Sequence, residues 1–212
     1  MFEITDKSSK RTLISQTVLI VINTLIFFVL SSFLHGLLSF IVPFCIYWLL
    51  LLLSIYLLKN KQSIIPSFRE LLQKNRNALS IIIGYIPAIL VIAVTIIPLK
   101  NEINIRLLTI AILIGLINGF IEEIFWRGSV YKNQNKLLSI LSTALFAINH
   151  VGFLFLNIMY QGGAVNLIGG PLIMGFIWVY AAKKSSSLTH VIIAHQIVNT
   201  FAFYSTFCNN AF

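Results

Sequence analysis

Seven apolar runs of about 20 residues each follow one another through this chain, and each is long enough to cross the hydrocarbon of a bilayer as a helix. The first of them, "QTVLIVINTLIFFVLSSFL", contains no charge at all. Inside a membrane every backbone N–H and C=O must be bonded within the protein, so only helices and closed barrels can span. Barrel strands read as short segments of alternating polarity. Here the apolar runs are continuous, so the expected class is all-α, a polytopic membrane protein of about seven transmembrane helices. The spacing places spans at 13–34, 37–58, 78–99, 107–130, 137–156, 164–182 and 188–207. His35 and Gly36 alone separate the first two, which predicts a tight turn between antiparallel helices. Gly and Pro within the spans, such as Gly115, Gly119, Pro171 and Gly175, point to close helix packing or local unwinding.

Composition supports the same class: 58% of residues are hydrophobic and only 10% charged, with a mean hydropathy of +0.92. A net charge of +9 would suggest nucleic acid in a soluble protein, but these basic residues lie in short loops and read as topology signals, so no nucleic-acid partner is expected. With the N-terminus cytoplasmic, 13 of the 15 Lys and Arg residues fall inside and only Lys100 and Arg106 outside, as the positive-inside rule requires. A multi-pass protein of a cell membrane follows, with compact loops suited to a bacterial plasma membrane. The N-terminal "MFEITDKSSKRT" and its apolar run loosely resemble a signal peptide, but the run is too long for one and no small-residue cleavage site follows, so it is expected to stay as the first span. Residues 59–77 form the one sizeable loop, in which "IPSFRELLQKNR" reads either as an amphipathic helix on the inner leaflet or as a solvated basic loop. Cys45 and Cys208 lack CxxC spacing and are expected to be packing residues. No repeat or second domain is visible: residues 1–212 make one transmembrane domain. The absence of paired halves disfavours a small transporter.

Against this background the stretch "NGFIEEIFWRGSV", residues 118–130, is anomalous, because a charge deep in a span is costly unless it is paired or faces a wet cavity. Glu123 and Arg127 are four apart, on one helical face, with the acid first, the favourable order for an ion pair. Glu122 is rotated by about 100° from Glu123 and is the acid left without a local counterion. A desolvated carboxylate of this kind suits a general base working near neutral pH. "FAINH" places Phe146 and His150 on one face of the fifth span, and "HQIVN" does the same for His195 and Asn199 in the seventh. Either histidine alone reads more often as a hydrogen-bonded core residue than as a catalyst. Depth links them: counted from the nearest lysine, Glu122, His150 and His195 lie roughly 15, 21 and 16 Å into their helices at ~1.5 Å per residue. Three helices thus bring polar groups to one layer.

The order of "EEIFWR", "FAINH" and "HQIVN" resembles the EExxxR, FxxxH and HxxxN motifs of the CPBP family, the CAAX-protease and bacteriocin-processing intramembrane proteases, also called the Abi family. The resemblance covers about residues 107–207; residues 1–77 carry no motif and contribute topology. It implies an intramembrane endopeptidase in which Glu122 activates water with help from His150, His195 and Asn199 form the oxyanion hole, Glu123 and Arg127 are a structural pair, and Phe146 packs beside them. No cofactor is then required. The metal alternative makes Glu122, His150 and His195 ligands of a zinc ion with water in the fourth position. It is disfavoured because HExxH is absent and Asn199 beside His195 suits a pair of hydrogen-bond donors. The expected partners are the lipid bilayer and a membrane-associated peptide or protein substrate. Family resemblance also leaves open a non-catalytic immunity protein that binds a bacteriocin or its receptor.

Overall fold

The computed structural model describes residues 6–62, 77–99, 103–156 and 158–210, and they are helical throughout apart from short turns. In chain order the helices are α1 (Lys7–Ser31), α2 (Leu38–Gln62), α3 (Ala78–Leu99), α4 (Ile105–Glu122), α5 (Lys136–Asn149), α6 (Gly163–Ser185) and α7 (Thr189–Asn209). A π-helical turn, Glu123–Arg127, prolongs α4, and a 3-10 segment, His150–Leu156, prolongs α5. With these extensions seven helices are long and apolar enough to cross a membrane, and the chain is a multi-span membrane protein. Residues 63–76, with the predicted amphipathic segment, lie outside the described residues.

The turn between α1 and α2 falls where His35 and Gly36 predict it. Gly36 takes a positive φ of 58°, a conformation that costs glycine little and other residues more. Two expectations need correction. The fifth span is not a continuous α-helix through His150, because His150 caps α5 and opens the tighter 3-10 segment. Cys45 is exposed on the outer surface of the bundle and packs nothing in the core.

Close packing of α4 on α7 fixes the heart of the molecule. A Cβ placed on Gly115 would lie 2.7 Å from the Thr200 backbone nitrogen, and one on Gly119 would lie 2.8 Å from that of Gln196. Only glycine at both positions lets the two backbones approach so closely. That approach carries Glu122 and Glu123, just beyond Gly119, up to His195, just before Gln196. On the other side α1 attaches through polar side chains instead. Gln16 Nε2 donates to Ser142 Oγ at 2.8 Å, and Asn23 Nδ2 donates to Asn149 Oδ1 at 3.2 Å. Such hydrogen bonds hold helices together where lipid supplies no hydrophobic drive.

The two ends of the bundle differ in charge. Asn133 Nδ2 donates to Ser9 Oγ at 3.3 Å and Lys183 Nζ to the Asn133 carbonyl at 2.7 Å. The start of α1, the α4–α5 connection and the end of α6 therefore share one end. It gathers Lys7, Lys10, Arg11, Lys132, Lys136, Lys183 and Lys184. At the opposite end the Asn104 N–H donates to Tyr204 Oη and the Met159 N–H to Asn210 Oδ1. Arg106 is the only Lys or Arg there among the described residues.

Candidate active site

The π turn is the local cause of the site's geometry. Its marker is the Gly128 N–H, which donates to the Glu123 carbonyl five residues back at 2.9 Å. Turns of this kind widen a helix locally and are frequent at functional sites. Glu122, Glu123 and Arg127 all project into the bundle and are 1% exposed or less.

Glu123 and Arg127 form the ion pair that their spacing predicts, Nη1 to Oε1 at 3.1 Å. The guanidinium carbon lies 3.8 Å from the centre of the Phe146 ring and 5.4 Å from that of Trp178. Arginine's planar cation suits this stacking against aromatic faces. A Cβ on Gly175 would come within 3.3 Å of Arg127 Nη2, so α6 closes the pocket around the guanidinium.

Glu122 has no cation at hydrogen-bond distance, but it is well supplied with donors. Tyr47 Oη donates to its Oε1 at 2.7 Å and Asn118 Nδ2 to its Oε2 at 2.9 Å. Asn118 is itself oriented by the Trp48 indole N–H, which donates to its Oδ1 at 2.9 Å. An indole is a donor only, so the Asn118 amide must turn its NH2 toward the carboxylate. Motif reading does not reveal Tyr47 or Trp48, which lie on α2 far from any motif. Asn118 was within reach of it, standing four residues before Glu122 in the same stretch.

His195 lies between the two acids. Its Nδ1 is 2.7 Å from Glu123 Oε1 and its Nε2 is 3.4 Å from Glu122 Oε2. The ring also packs 4.5 Å from Trp178, centre to centre. His195 is therefore tied to both carboxylates of the "EE" pair, a link that the motif spacing does not show. His150 is held differently. Its Nδ1 donates to the Phe146 carbonyl at 2.9 Å; a carbonyl only accepts, so Nδ1 carries a proton, and in the neutral ring Nε2 keeps its lone pair. Asn199 Nδ2 is buried with no hydrogen-bond partner. Among the described residues, no three His, Cys, Asp or Glu side chains are grouped as a metal site needs.

An apolar cleft of about 380 Å³ leads to these groups. Asn118, Phe146, His150, His195 and Asn199 form its deep wall. From there it runs along the C-terminal half of α3, the N-terminal half of α6 and the C-terminal half of α7 toward Gln161 and Thr206. It therefore leads away from the lysine-rich end. At that far end burial holds the Tyr160 hydroxyl above the ordinary phenol range, and it donates to the Phe153 carbonyl at 3.1 Å. Among the described residues, no Lys, Arg, Asp or Glu lines the cleft. Glu122 stands one side chain behind the wall, reached past Asn118 and His195.

All seven motif residues fall in residues 104–201, which match the sequence model of the family described as type II CAAX prenyl endopeptidase Rce1-like. The match leaves out α1, α2 and α3 and with them Asn23, Tyr47 and Trp48. Comparison with curated proteins and with solved structures gave no match. Motif order and family match agree: over residues 104–201 the chain is similar to the Rce1-like family of CAAX-type endopeptidases, the CPBP family.

Proposed function

We propose that this chain is an intramembrane endopeptidase that hydrolyses membrane-associated peptides or proteins with water activated by Glu122. The observation that carries this reading lies at the wall of one cleft. An amide N–H on that wall, Asn199 Nδ2, has no partner of its own, and behind the wall, bonded to its residue Asn118, stands a carboxylate engaged by donors on both oxygens. The carboxylate suits a base and the amide a donor for an oxyanion.

The steps follow from the donors and acceptors present. Of the contacts on Glu122, that from His195 is the longest at 3.4 Å, beyond a normal hydrogen bond, so Oε2 is the oxygen open to water. His150 Nε2, with its free lone pair, accepts the second water hydrogen and orients the molecule. The water oxygen attacks the peptide carbonyl as its proton passes to Glu122. The resulting oxyanion accepts from Asn199 Nδ2–H and from His195 Nε2–H. Breaking the C–N bond returns the proton from Glu122 to the departing amine. Proton counting supports His195 as a donor: two carboxylates and one guanidinium leave one negative charge in a buried site, and a proton on His195 neutralises it.

The apolar cleft suits an apolar, membrane-embedded chain. The lysine-rich end faces the cytoplasm of a bacterial cell, by the positive-inside rule, so the cleft opens toward the opposite face. In a cysteine-free background, Lys184→Cys should be shielded from a membrane-impermeant maleimide in intact cells and Asn209→Cys labelled. The reverse pattern would invert the orientation.

The activity is tested with purified protein in liposomes and an internally quenched prenylated CaaX peptide, with and without a strong zinc chelator. Cleavage should persist under chelation. His195→Ala and Asn199→Ala should each lose on the order of 100-fold to 1,000-fold in kcat, as for an oxyanion donor. Chelator-sensitive cleavage restored by zinc would replace water activation by Glu122 with metal chemistry. Absence of cleavage, together with undiminished protection of cells from a bacteriocin by the same variants, would make the protein a binder.

A further inference from the structure

We infer that Tyr47, on α2 and outside the family-matched segment, is a positioning residue for Glu122: its hydroxyl fixes one carboxylate oxygen so that the other meets the water. The inference rests on the reading of Glu122 as the general base and adds a part of the machinery that the motif-bearing helices do not contain.

Hydrogen-bond inventory carries the case. A tyrosine hydroxyl has one hydrogen to give and two lone pairs. Tyr47 is fully buried, and both lone pairs are engaged, by Asn149 Nδ2 at 3.0 Å and by Trp126 Nε1 at 3.3 Å. Its hydrogen therefore goes to Glu122 Oε1 at 2.7 Å, the shortest contact on that carboxylate. The arrangement extends outward: Asn149 Oδ1 accepts from Asn23 Nδ2 at 3.2 Å, which turns the Asn149 amide so that its NH2 faces Tyr47. Donors thus pass from α1 through α5 to α2 and end on the base. Asn149, bonded at both ends of its amide, can point only one way in that line, whereas Asn23 Oδ1 is buried without a partner.

The second oxygen is treated differently. On Oε2, Asn118 Nδ2 at 2.9 Å holds one side and His195 Nε2 at 3.4 Å the other. Oε1 thus receives the short bond from a fully enclosed hydroxyl, and Oε2 faces residues that line the cleft. The carboxylate has an anchored end and a working end. Without Tyr47 Oη, the carboxylate keeps only contacts on its working side and is free to turn about its last bond. A base loses rate in this way without any loss of substrate affinity.

Among the described residues, the groups facing Glu122 are Tyr47 from α2, Asn118 from α4, Glu123 and Arg127 from the π turn and His195 from α7. Tyr47 is the only one of them outside residues 104–201. The N-terminal helices therefore do more than set topology.

The test uses the full-length protein in liposomes, with the prenylated CaaX reporter for kinetics and infrared spectra of protein carrying ¹³C-carboxyl glutamate for the bond itself. Glu122→Gln identifies the Glu122 carboxylate band by its disappearance. Tyr47→Phe should shift that band and lower kcat about 10-fold to 100-fold, the range for one bond to a charged group, with KM unchanged. An unshifted band, or full kcat in Tyr47→Phe beside an inactive Glu122→Gln, would overturn the inference and leave the function intact. A fall in kcat and KM together with a lower unfolding temperature would also overturn it, by showing a structural role. If wild type does not cleave the reporter, the functional reading fails on its own account and the infrared band decides the bond. Should Tyr47→Phe not accumulate, fluorotyrosines of graded acidity at position 47 keep the shape. The band and kcat should then follow ring acidity, and a flat response would refute the assignment.

Discussion

Glu122→Gln removes turnover while the protein still folds. Gln cannot take a proton from water, so the expected loss is that of a general base, on the order of 100-fold to 10,000-fold in kcat. The structure adds a stability cost that the sequence does not reveal. Tyr47 Oη and Asn118 Nδ2 both donate to Glu122, and Asn118 is held in that orientation by Trp48. The Gln amide has one acceptor and one donor end, so its NH2 end must face one of these donors. One mismatched buried bond costs about 1–3 kcal/mol. Size-exclusion profiles and membrane abundance should therefore show a mild decrease, and reporter cleavage should show a near-complete loss. Full activity in the purified variant would mean that Glu122 is not the base, and the hydrolytic scheme above would have to be rebuilt around another group.

Arg127→Ala acts in the opposite sense, on folding before chemistry. Glu123 would lose its cation and keep only His195 Nδ1, in a place where neither side chain is more than 4% exposed. Breaking a buried ion pair from one side costs roughly 3–5 kcal/mol, and here the stacking of the guanidinium on Phe146 and Trp178 is lost as well. Low abundance in the membrane and a lowered unfolding temperature are expected. The compensating check is Arg127→Met combined with Glu123→Gln, in which no charge is stranded and a neutral amide oxygen still accepts from His195. Abundance should recover in the double variant and remain low in Arg127→Met alone. Wild-type levels of Arg127→Ala would show that the pair does not support the fold.

These two variants separate two acids that are adjacent in the chain, a distinction partly legible in the amino-acid sequence itself. The bilayer acts as a solvent that penalises charge, so the few ionisable residues in apolar runs stand out. That contrast alone marks Glu122, Glu123, Arg127, His150 and His195. Helical spacing then assigns Arg127 to Glu123, because a four-residue separation is local geometry and survives the widening of the π turn at 3.1 Å. The residues around Glu122 are not legible in the same way. Neutral polar residues such as Tyr47, Asn149 and Asn23 cost less than a charge and can bond to any neighbouring helix, so nothing in the sequence singles out those that meet a carboxylate.

What the sequence by itself determined is therefore the number of spans, the all-helical class and the set of charged residues that must be buried together. Each is governed by transfer into hydrocarbon, a property of short windows of chain. Only the tertiary structure decided how they meet. Glycines at 115 and 119 bring α4 onto α7 so that His195 reaches both carboxylates. The 3-10 break at His150 fixes its ring against the Phe146 carbonyl. Tyr47, 75 residues before Glu122, becomes its neighbour because α2 packs against the π turn. Contacts between helices depend on which faces are turned toward each other, and the apolar sequence of a membrane helix, alike on nearly every side, does not encode that choice locally.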